Sequence, residues 1–311
     1  MKLALIARDP SHGAIALERI QSGARDHGLA LQAGLTVSAY AGHAVVTARE
    51  RATDADLLVA VGGDGTLHEV VNGAMAGLAP ASPQKRPNIA LVATGTANDF
   101  ARSIAGEANV AQLLAALAAD SWCDIDLGRV CFTGNRGEQR EVYFINVADI
   151  GVGAEVVRRV SGGGRRLGAT VTYLIAIIRT LVGYRKRTVT IRSDQGLAFS
   201  GPLLATAFGN GRSFGAGLTI LPQALPDDGE LDCIIVGNVG LRQFIGKHHQ
   251  LREGHLIDHP EVHYHRCRTL SVESAHRLGV EADGEFLGYL PATVGILPAA
   301  IRMPLLETPQ A

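Results

Sequence analysis

Leu57-Leu58-Val59-Ala60-Val61-Gly62-Gly63-Asp64-Gly65-Thr66-Leu67-His68-Glu69-Val70-Val71 decides how the chain is read. Residues 57–61 are uniformly apolar, the pattern of a strand covered on both faces in a parallel sheet. The run stops at glycines, and a helical pattern begins at once. Three glycines let backbone approach a ligand closely and leave N–H groups facing outward, as an anion requires. The start of a helix adds positive potential, so phosphate suits this loop. Asp64 alone repels a phosphate; it fits if a cation such as Mg²⁺ lies between them. The plain alternative is a sharp turn with Asp64 as a helix cap.

The flanking sequence repeats the arrangement. Residues 2–8 form an apolar run ended by Asp9-Pro10-Ser11-His12-Gly13. Asn88-Ile89-Ala90-Leu91-Val92-Ala93-Thr94 is another, ended by Gly95-Thr96-Ala97-Asn98-Asp99-Phe100-Ala101-Arg102. Strands alternating with helices predict a parallel α/β sheet, whose ligands sit beyond the carboxyl ends of the strands. Both glycine loops fall there. Asn98 or Asp99 taken singly reads as a helix cap; two such loops at one sheet edge favour a shared site.

The pattern changes near Asp124. Strand-like segments at 143–147, 187–191, 203–208, 231–236 and 270–272 predict a mostly antiparallel β domain, interrupted by helices near 168–184 and 240–252. The expected division is an α/β domain over 1–125 and a β-rich domain over 126–311, with the C-terminal end packing back on the first domain. In Asp124-Ile125-Asp126-Leu127-Gly128 alternation puts both aspartates on one face, either a solvated face or part of a site. Pro222-Gln223-Ala224-Leu225-Pro226-Asp227-Asp228-Gly229-Glu230-Leu231-Asp232 reads as an acidic turn able to hold a hard cation, or as an ordinary Asp-Gly turn. Glu281-Ala282-Asp283-Gly284-Glu285 places acids around a hairpin-like turn, which by itself reads as solvent-exposed.

Composition narrows the function. The 311 residues are 47% hydrophobic with a formal net charge of -1, so no global basic field for nucleic acid exists. Cys123, Cys131, Cys233 and Cys267 form no C-x-x-C pair and read as reduced thiols of a cytoplasmic protein. The N-terminal apolar run meets Arg8 and Asp9 too soon for a signal peptide. The stretch 167–178 stops at Arg179, short of the ~20 residues a membrane span needs. Any membrane contact is therefore expected to be peripheral, at the inner surface. Arg158, Arg159, Arg165, Arg166, Arg185, Lys186 and Arg187 bracket that stretch, which suits either an anionic membrane surface or a core helix with solvated ends. Gly211-Arg212-Ser213-Phe214-Gly215 matches a nucleophile-elbow pattern, but no helical pattern follows it. The histidines at 248, 249, 255, 259, 263 and 265 lack the H-E-x-x-H spacing of a zinc site. Gly162-Gly163-Gly164 follows a charged helix-like stretch, not a strand, which argues against a dinucleotide fingerprint.

Residues 62–66 and 95–101, Ile125-Asp126-Leu127-Gly128, the segment 222–232 and Asp283-Gly284-Glu285 occur in an order that resembles the diacylglycerol kinase catalytic-domain family. That family includes bacterial lipid kinases and the sphingosine and ceramide kinases. The first loop is shared with NAD kinases and phosphofructokinases; its combination with the second loop and the segment 227–232 is much more specific, and the resemblance spans nearly the whole chain. It implies an N-terminal nucleotide-binding α/β domain, a β-sandwich domain, an active site in the cleft between them, and transfer of phosphate from ATP to a lipid hydroxyl, the lipid being diacylglycerol-like. It implies that Gly62, Gly63, Asp64, Gly65, Thr66 and Thr96 hold ATP phosphates, with Ser38 near the nucleotide. Asp64, Asp99 and Asp126 match a water-mediated Mg²⁺ network. Leu225, Asp228 and Glu230 match a structural Mg²⁺ site, Leu225 and Glu230 through their carbonyls. Asp283 and Glu285 match the turn carrying the general base. A homodimer is compatible with it. Asp9-Pro10-Ser11-His12-Gly13 departs from the family's Asn-Pro-x-Ser-Gly, and His68 stands where asparagine is common. An NAD kinase-like or other small-molecule kinase, and a non-catalytic nucleotide-binding regulator, are the competing readings.

Overall fold

The computed structural model describes residues 1–78, 85–104, 108–161, 179–180, 182–215, 217–240, 243 and 246–305. The chain divides into two compact units. One holds Met1–Leu127, Pro226–Asp228 and Leu297–Ala311; the other holds Gly128–Leu225 and Gly229–Ile296.

The first unit is built on β1 (Lys2–Ala7), β2 (Gln32–Val37), β3 (Leu57–Gly62) and β4 (Ile89–Ala93), all parallel, in the order β2-β1-β3-β4. Every residue of β3 is buried, as its unbroken apolar run requires. Among the described residues five helices accompany the sheet: α1 (Pro10–Asp26), α2 (His43–Arg51), α3 (Asp64–Leu78), α4 (Asp99–Ile104) and α5 (Val110–Ala118). The Asp9-Pro10 turn is the start of α1: the Asp9 carboxylate accepts the N–H groups of Ser11 at 2.8 Å and His12 at 3.0 Å. On α3, Gly73 and Gly77 sit one turn apart on the face toward α2. A Cβ on either would run into the carbonyl oxygens of Val45 and Arg49, so these helices pack backbone against backbone. Leu5, Val59, Ile20 and Leu113 lie in the resulting core.

β5 (Trp122–Thr133) begins in this unit, and the C-terminal residues run beside its start. Leu305 donates its N–H to the Ser121 carbonyl at 3.0 Å, and Arg302 lies 5.1 Å over the Trp122 ring.

The second unit carries β6 (Gln139–Phe144), β7 (Val147–Gly151), α6 (Val152–Ser161), β8 (Arg187–Ser193), β9 (Ala198–Leu203), β10 (Ala205–Gly209), β11 (Ser213–Phe214), β12 (Leu218–Thr219), β13 (Leu231–Val236), α7 (His248–Arg252), β14 (Val262–Cys267), β15 (Thr269–Glu273), β16 (Gly279–Ala282) and most of β17 (Glu285–Pro304). Its main sheet runs β14-β13-β10-β7-β16-β17-β15-β8-β9, and the pairings of resolved register within it are antiparallel. Phe132, Phe144, Phe208, Leu231 and Val280 fill its core. The strand expected over 143–147 is two strands. It breaks at Ile145 and Asn146 because their N–H groups turn to the Asp283 carboxylate. The strand expected over 203–208 likewise breaks at Leu204, whose N–H goes to the Val236 carbonyl at 2.9 Å. The helix expected over 168–184 lies mostly outside the described residues; within 240–252 the helix is α7.

Candidate active site

In the first unit, β3 and β4 pair so that Gly62 faces Ala93, and the loops following them emerge together. They touch at their glycines. A Cβ on Gly95 would lie 2.5 Å from the Gly63 Cα and 2.7 Å from Asn98 Oδ1. Asp64 ties the loops together: one carboxylate oxygen accepts the Asp99 N–H and the other the Phe100 N–H, each at 3.1 Å. Asp64 therefore caps α4, the helix of the other loop. Asn98 stands at φ 50°, a conformation asparagine tolerates better than most residues. Its Nδ2 donates to the Gly95 carbonyl at 2.8 Å, while its buried Oδ1 has no hydrogen-bond partner among the described residues. Asp99 is buried and Thr96 is exposed on the loop. Ser38, just past β2, and Thr66, at the start of α3, both line a cavity of about 270 Å³ with Arg8, Tyr40 and Glu69.

Asp124 and Asp126 differ in environment. Asp124 is exposed and paired with Arg86 at 2.7 Å; Asp126 is 2% exposed and accepts the Ala299 N–H at 2.6 Å. The solvated-face reading thus holds for Asp124 and fails for Asp126, which the C-terminal strand covers. Among the described residues no three His, Cys, Asp or Glu side chains gather closely enough to hold one ion directly. Asp64, Asp99 and Asp126 do not form a direct cage, which is compatible with an ion held through water. Of the second acidic segment, Leu225 and Asp228 are exposed, and the Glu230 carboxylate binds Arg266 at 3.1 Å and Gln195 Nε2 at 3.1 Å.

In the second unit, the Asp283-Gly284 turn has φ of 50° and 83° at its two central residues, as a tight two-residue hairpin turn demands. Gly284 and Glu285 are exposed, as the sequence suggests, but the Asp283 side chain is not merely solvated. The Asp283 carboxylate accepts the N–H groups of Ile145 at 3.0 Å, Asn146 at 3.0 Å and Val147 at 3.3 Å, locking the turn to the start of β7. Glu285 is exposed and makes no hydrogen bond or ion pair among the described residues. Asn146, which the sequence did not single out, donates Nδ2 to the Ser213 carbonyl at 2.9 Å and keeps a buried Oδ1 with no partner among the described residues.

β7 and α6 wall a cavity of about 180 Å³. Val152, Val156, Ile220, Ile234, Val236 and Leu251 make it apolar, and Asp149 stands among them. Burial pushes the Asp149 carboxyl up to about 7, against the pull of the Ala154 and Gly153 N–H groups. Burial also pushes Glu281, opposite it on β16, well above the usual carboxylate range, and the Asp149 charge adds to this. Between about pH 4 and pH 7 the folded protein keeps an Asp149 proton that the unfolded chain has lost, so stability falls as pH rises through that window, and the raised Glu281 carboxyl adds to the fall. Asp149→Asn should flatten this slope, gaining on the order of 2–4 kcal/mol at pH 8 and nothing at pH 4. Denaturant unfolding across pH checks it; a variant with the parent's slope contradicts it.

Ser213 lies in the β11–β12 hairpin with Oγ 3.0 Å from Thr219 Oγ1, and no helix follows, so it is no nucleophile elbow. His249 and His255 face Glu253 at 2.9 and 3.6 Å on the surface. Cys123, Cys131, Cys233 and Cys267 are all free thiols. The basic-flanked segment 158–187 lies largely outside the described residues; at its ends Arg158 and Arg159 pair with Glu155, and Lys186 donates to Asn238. No helix among the described residues is long and apolar enough to cross a membrane.

Comparison with known proteins accounts for both units. The diacylglycerol kinase catalytic domain matches residues 11–130, and the YegS C-terminal NAD kinase beta sandwich-like domain matches residues 146–305. The chain belongs to the diacylglycerol kinase catalytic-domain family. It is 30% identical over 266 residues to a diacylglycerol kinase of Staphylococcus carnosus (strain TM300), covering 84% of this chain and 82% of that one. It is also 30% identical over 267 residues to a diacylglycerol kinase of Staphylococcus haemolyticus (strain JCSC1435), covering 84% and 76%. In fold it superposes on the crystal structure of a diacylglycerol kinase from Bacillus anthracis str. Sterne with a TM-score of 0.67 at 21% identity, covering 99% and 97% of the two chains. A second structure from that organism superposes with a TM-score of 0.74 at 24% identity. The protein is a kinase-family transferase with an N-terminal parallel α/β domain and a C-terminal antiparallel β domain. Kinases of this kind imply ATP and a divalent metal, and the first unit offers what phosphates need, two glycine loops in backbone contact with a helix start at each, while the buried Asn98 Oδ1 beside them, without a partner among the described residues, is an acceptor that suits a cation or its water rather than a phosphate.

Proposed function

We propose that the protein is an ATP- and Mg²⁺-dependent kinase that transfers the γ-phosphate to the hydroxyl of a diacylglycerol-like lipid. The observation that carries the lipid part is the apolar cavity of the second unit, whose lining is mostly valine, isoleucine, leucine and alanine with Asp149, Gln243, Lys247 and His259 among them, a surface that suits an acyl chain bearing a polar head. The loops 62–66 and 95–99 are proposed to hold the phosphates through backbone N–H groups, Thr66 and Thr96 through hydroxyls, and Ser38 to line the nucleotide cavity. Mg²⁺, when bound, neutralises charge developing on the transferred group. Asp64, Asp99 and Asp126 orient water around it. The Asp283-Gly284-Glu285 turn supplies the proton acceptor for the lipid hydroxyl. Asp228 is proposed to ligate a second, structural Mg²⁺; a Mg²⁺ titration that raises the melting temperature of parent and Asp228→Ala equally removes it from that role.

Filling the cavity tests the lipid reading. Ala207 lines it from β10 and is buried. Ala207→Phe should raise KM for the lipid by about tenfold or more while leaving ATP binding unchanged, because only the chain site is occluded. A folded variant with parental lipid kinetics places the chain elsewhere.

A further inference from the structure

Tyr264, Ile234, Ala207, Asp149, Glu281 and Phe286 are successive partners straight across the second unit's sheet. Directly opposed residues present their side chains to the same face. Two carboxyl groups thus stand side by side in a row that is otherwise uncharged, with no lysine or arginine in it. Asp149 is 2% exposed and Glu281 1%. Ionised together they would repel strongly in so poor a dielectric. Such a pair costs stability that apolar side chains here would not, so its retention asks what each carboxyl does that an apolar group cannot.

Each holds a different backbone element. Glu281 reaches along its own hairpin, where Oε2 accepts the Gly284 N–H at 2.9 Å. That fixes the turn from within, while Asp283 fixes it to residues 145–147 from outside. Asp149 reaches the other way, and Oδ1 accepts the Ala154 N–H at 2.9 Å in the first turn of α6. The carboxylate lies flat over Gly153; a Cβ there would sit 2.5 Å from Oδ1. Val152, Gly153 and Val156 of that helix line the apolar cavity.

We propose that Asp149 and Glu281 are positioning residues that lock the Asp283-Gly284-Glu285 turn to the α6 wall of the apolar cavity as one rigid piece. This rests on the lipid-kinase reading: a hydroxyl borne by a chain lodged in the cavity then meets the turn in fixed register. Neither residue touches the reacting atoms. The locking needs hydrogen-bond acceptors rather than charge: Glu281 Oε2 for the Gly284 N–H and Asp149 Oδ1 for the Ala154 N–H, on two strands paired at these residues. An amide therefore replaces either acid, its oxygen keeping the backbone N–H.

The test uses the full chain with Glu281→Gln, Glu281→Ala and Asp149→Asn. Amide hydrogen exchange needs no activity, and steady-state kinetics with diacylglycerol in mixed micelles adds the functional readout. Glu281→Gln should exchange like the parent at Gly284 and at residues 145–147, and hold kcat within about threefold. Glu281→Ala should speed exchange at those amides by about tenfold or more and lower kcat by ~10–100-fold with KM for ATP unchanged. Parental exchange in Glu281→Ala, or a Glu281→Gln variant as damaged as Glu281→Ala, overturns the proposal. Should Glu281→Ala not fold, Glu281→Gln and Asp149→Asn decide it: parental or slower exchange at Gly284 and Ala154 supports the lock, and faster exchange overturns it. If the parent phosphorylates no lipid while the exchange results hold, the kinase reading fails and the lock stands.

Discussion

Asp64→Asn is expected to lower kcat by at least ~10²–10³-fold, the scale seen when one preorganised electrostatic contact to a transferring group is lost. The reasoning starts from the loop. Asp64 opens α3 directly after the buried strand β3, where N–H groups and the helix start favour anions; its carboxylate would repel a phosphate held by the same loop unless a cation lies between them. The structure adds a second duty, since Asp64 also caps α4 through the Asp99 and Phe100 N–H groups. Asp64→Ala would remove both duties at once; losing the cap alone costs about 1 kcal/mol. Asparagine keeps one of the two oxygen acceptors for α4, sets its NH₂ in place of the other and loses the charge the metal needs. kcat should therefore fall by that factor while denaturant stability stays within about 2 kcal/mol of the parent. A folded Asp64→Asn variant with near-parental kcat removes Asp64 from the mechanism.

The second large effect concerns proton removal. A lipid alcohol is a poor nucleophile, and losing its general base costs ~10²–10⁴-fold in rate. Asp283 and Glu285 share one turn but not one situation. A carboxylate has about four acceptor positions, and Asp283 commits three to the amides of residues 145–147. Glu285 is exposed and uncommitted among the described residues. Glu285→Gln should accordingly lose kcat on the general-base scale with an unchanged melting temperature. Asp283→Asn should lower melting temperature and kcat together, because it frees the turn. The assignment reverses if Glu285→Gln keeps kcat while Asp283→Asn loses it at parental stability.

How much of this was legible in the sequence depends on whether the deciding interaction is local. β3 and the loop 62–66 were readable because an unbroken apolar run followed by glycines has few other structural meanings. β2 was not, since Gln32-Ala33-Gly34-Leu35-Thr36-Val37 carries a glycine and no uniform run, and it forms by pairing along β1. The break at Ile145-Asn146 is set by Asp283, more than a hundred residues away, and Asp126 is buried by a strand end near Ala299. No window of local sequence contains those partners. The same holds for the pairing of Asp149 with Glu281. The Asp283 turn was recognised as a turn from Asp-Gly, but its grip on β7 is a tertiary fact.

The central claim is ATP- and Mg²⁺-dependent phosphorylation of a lipid hydroxyl. Its most direct test incubates the purified parent with γ-labelled ATP, Mg²⁺ and mixed micelles of lipids bearing free hydroxyls, with a parallel NAD reaction, followed by organic extraction and mass spectrometry. The expected result is label in a lipid phosphomonoester, absent with EDTA and absent with Asp64→Asn. Label appearing in NADP or another water-soluble product, with none in any extracted lipid, contradicts the account.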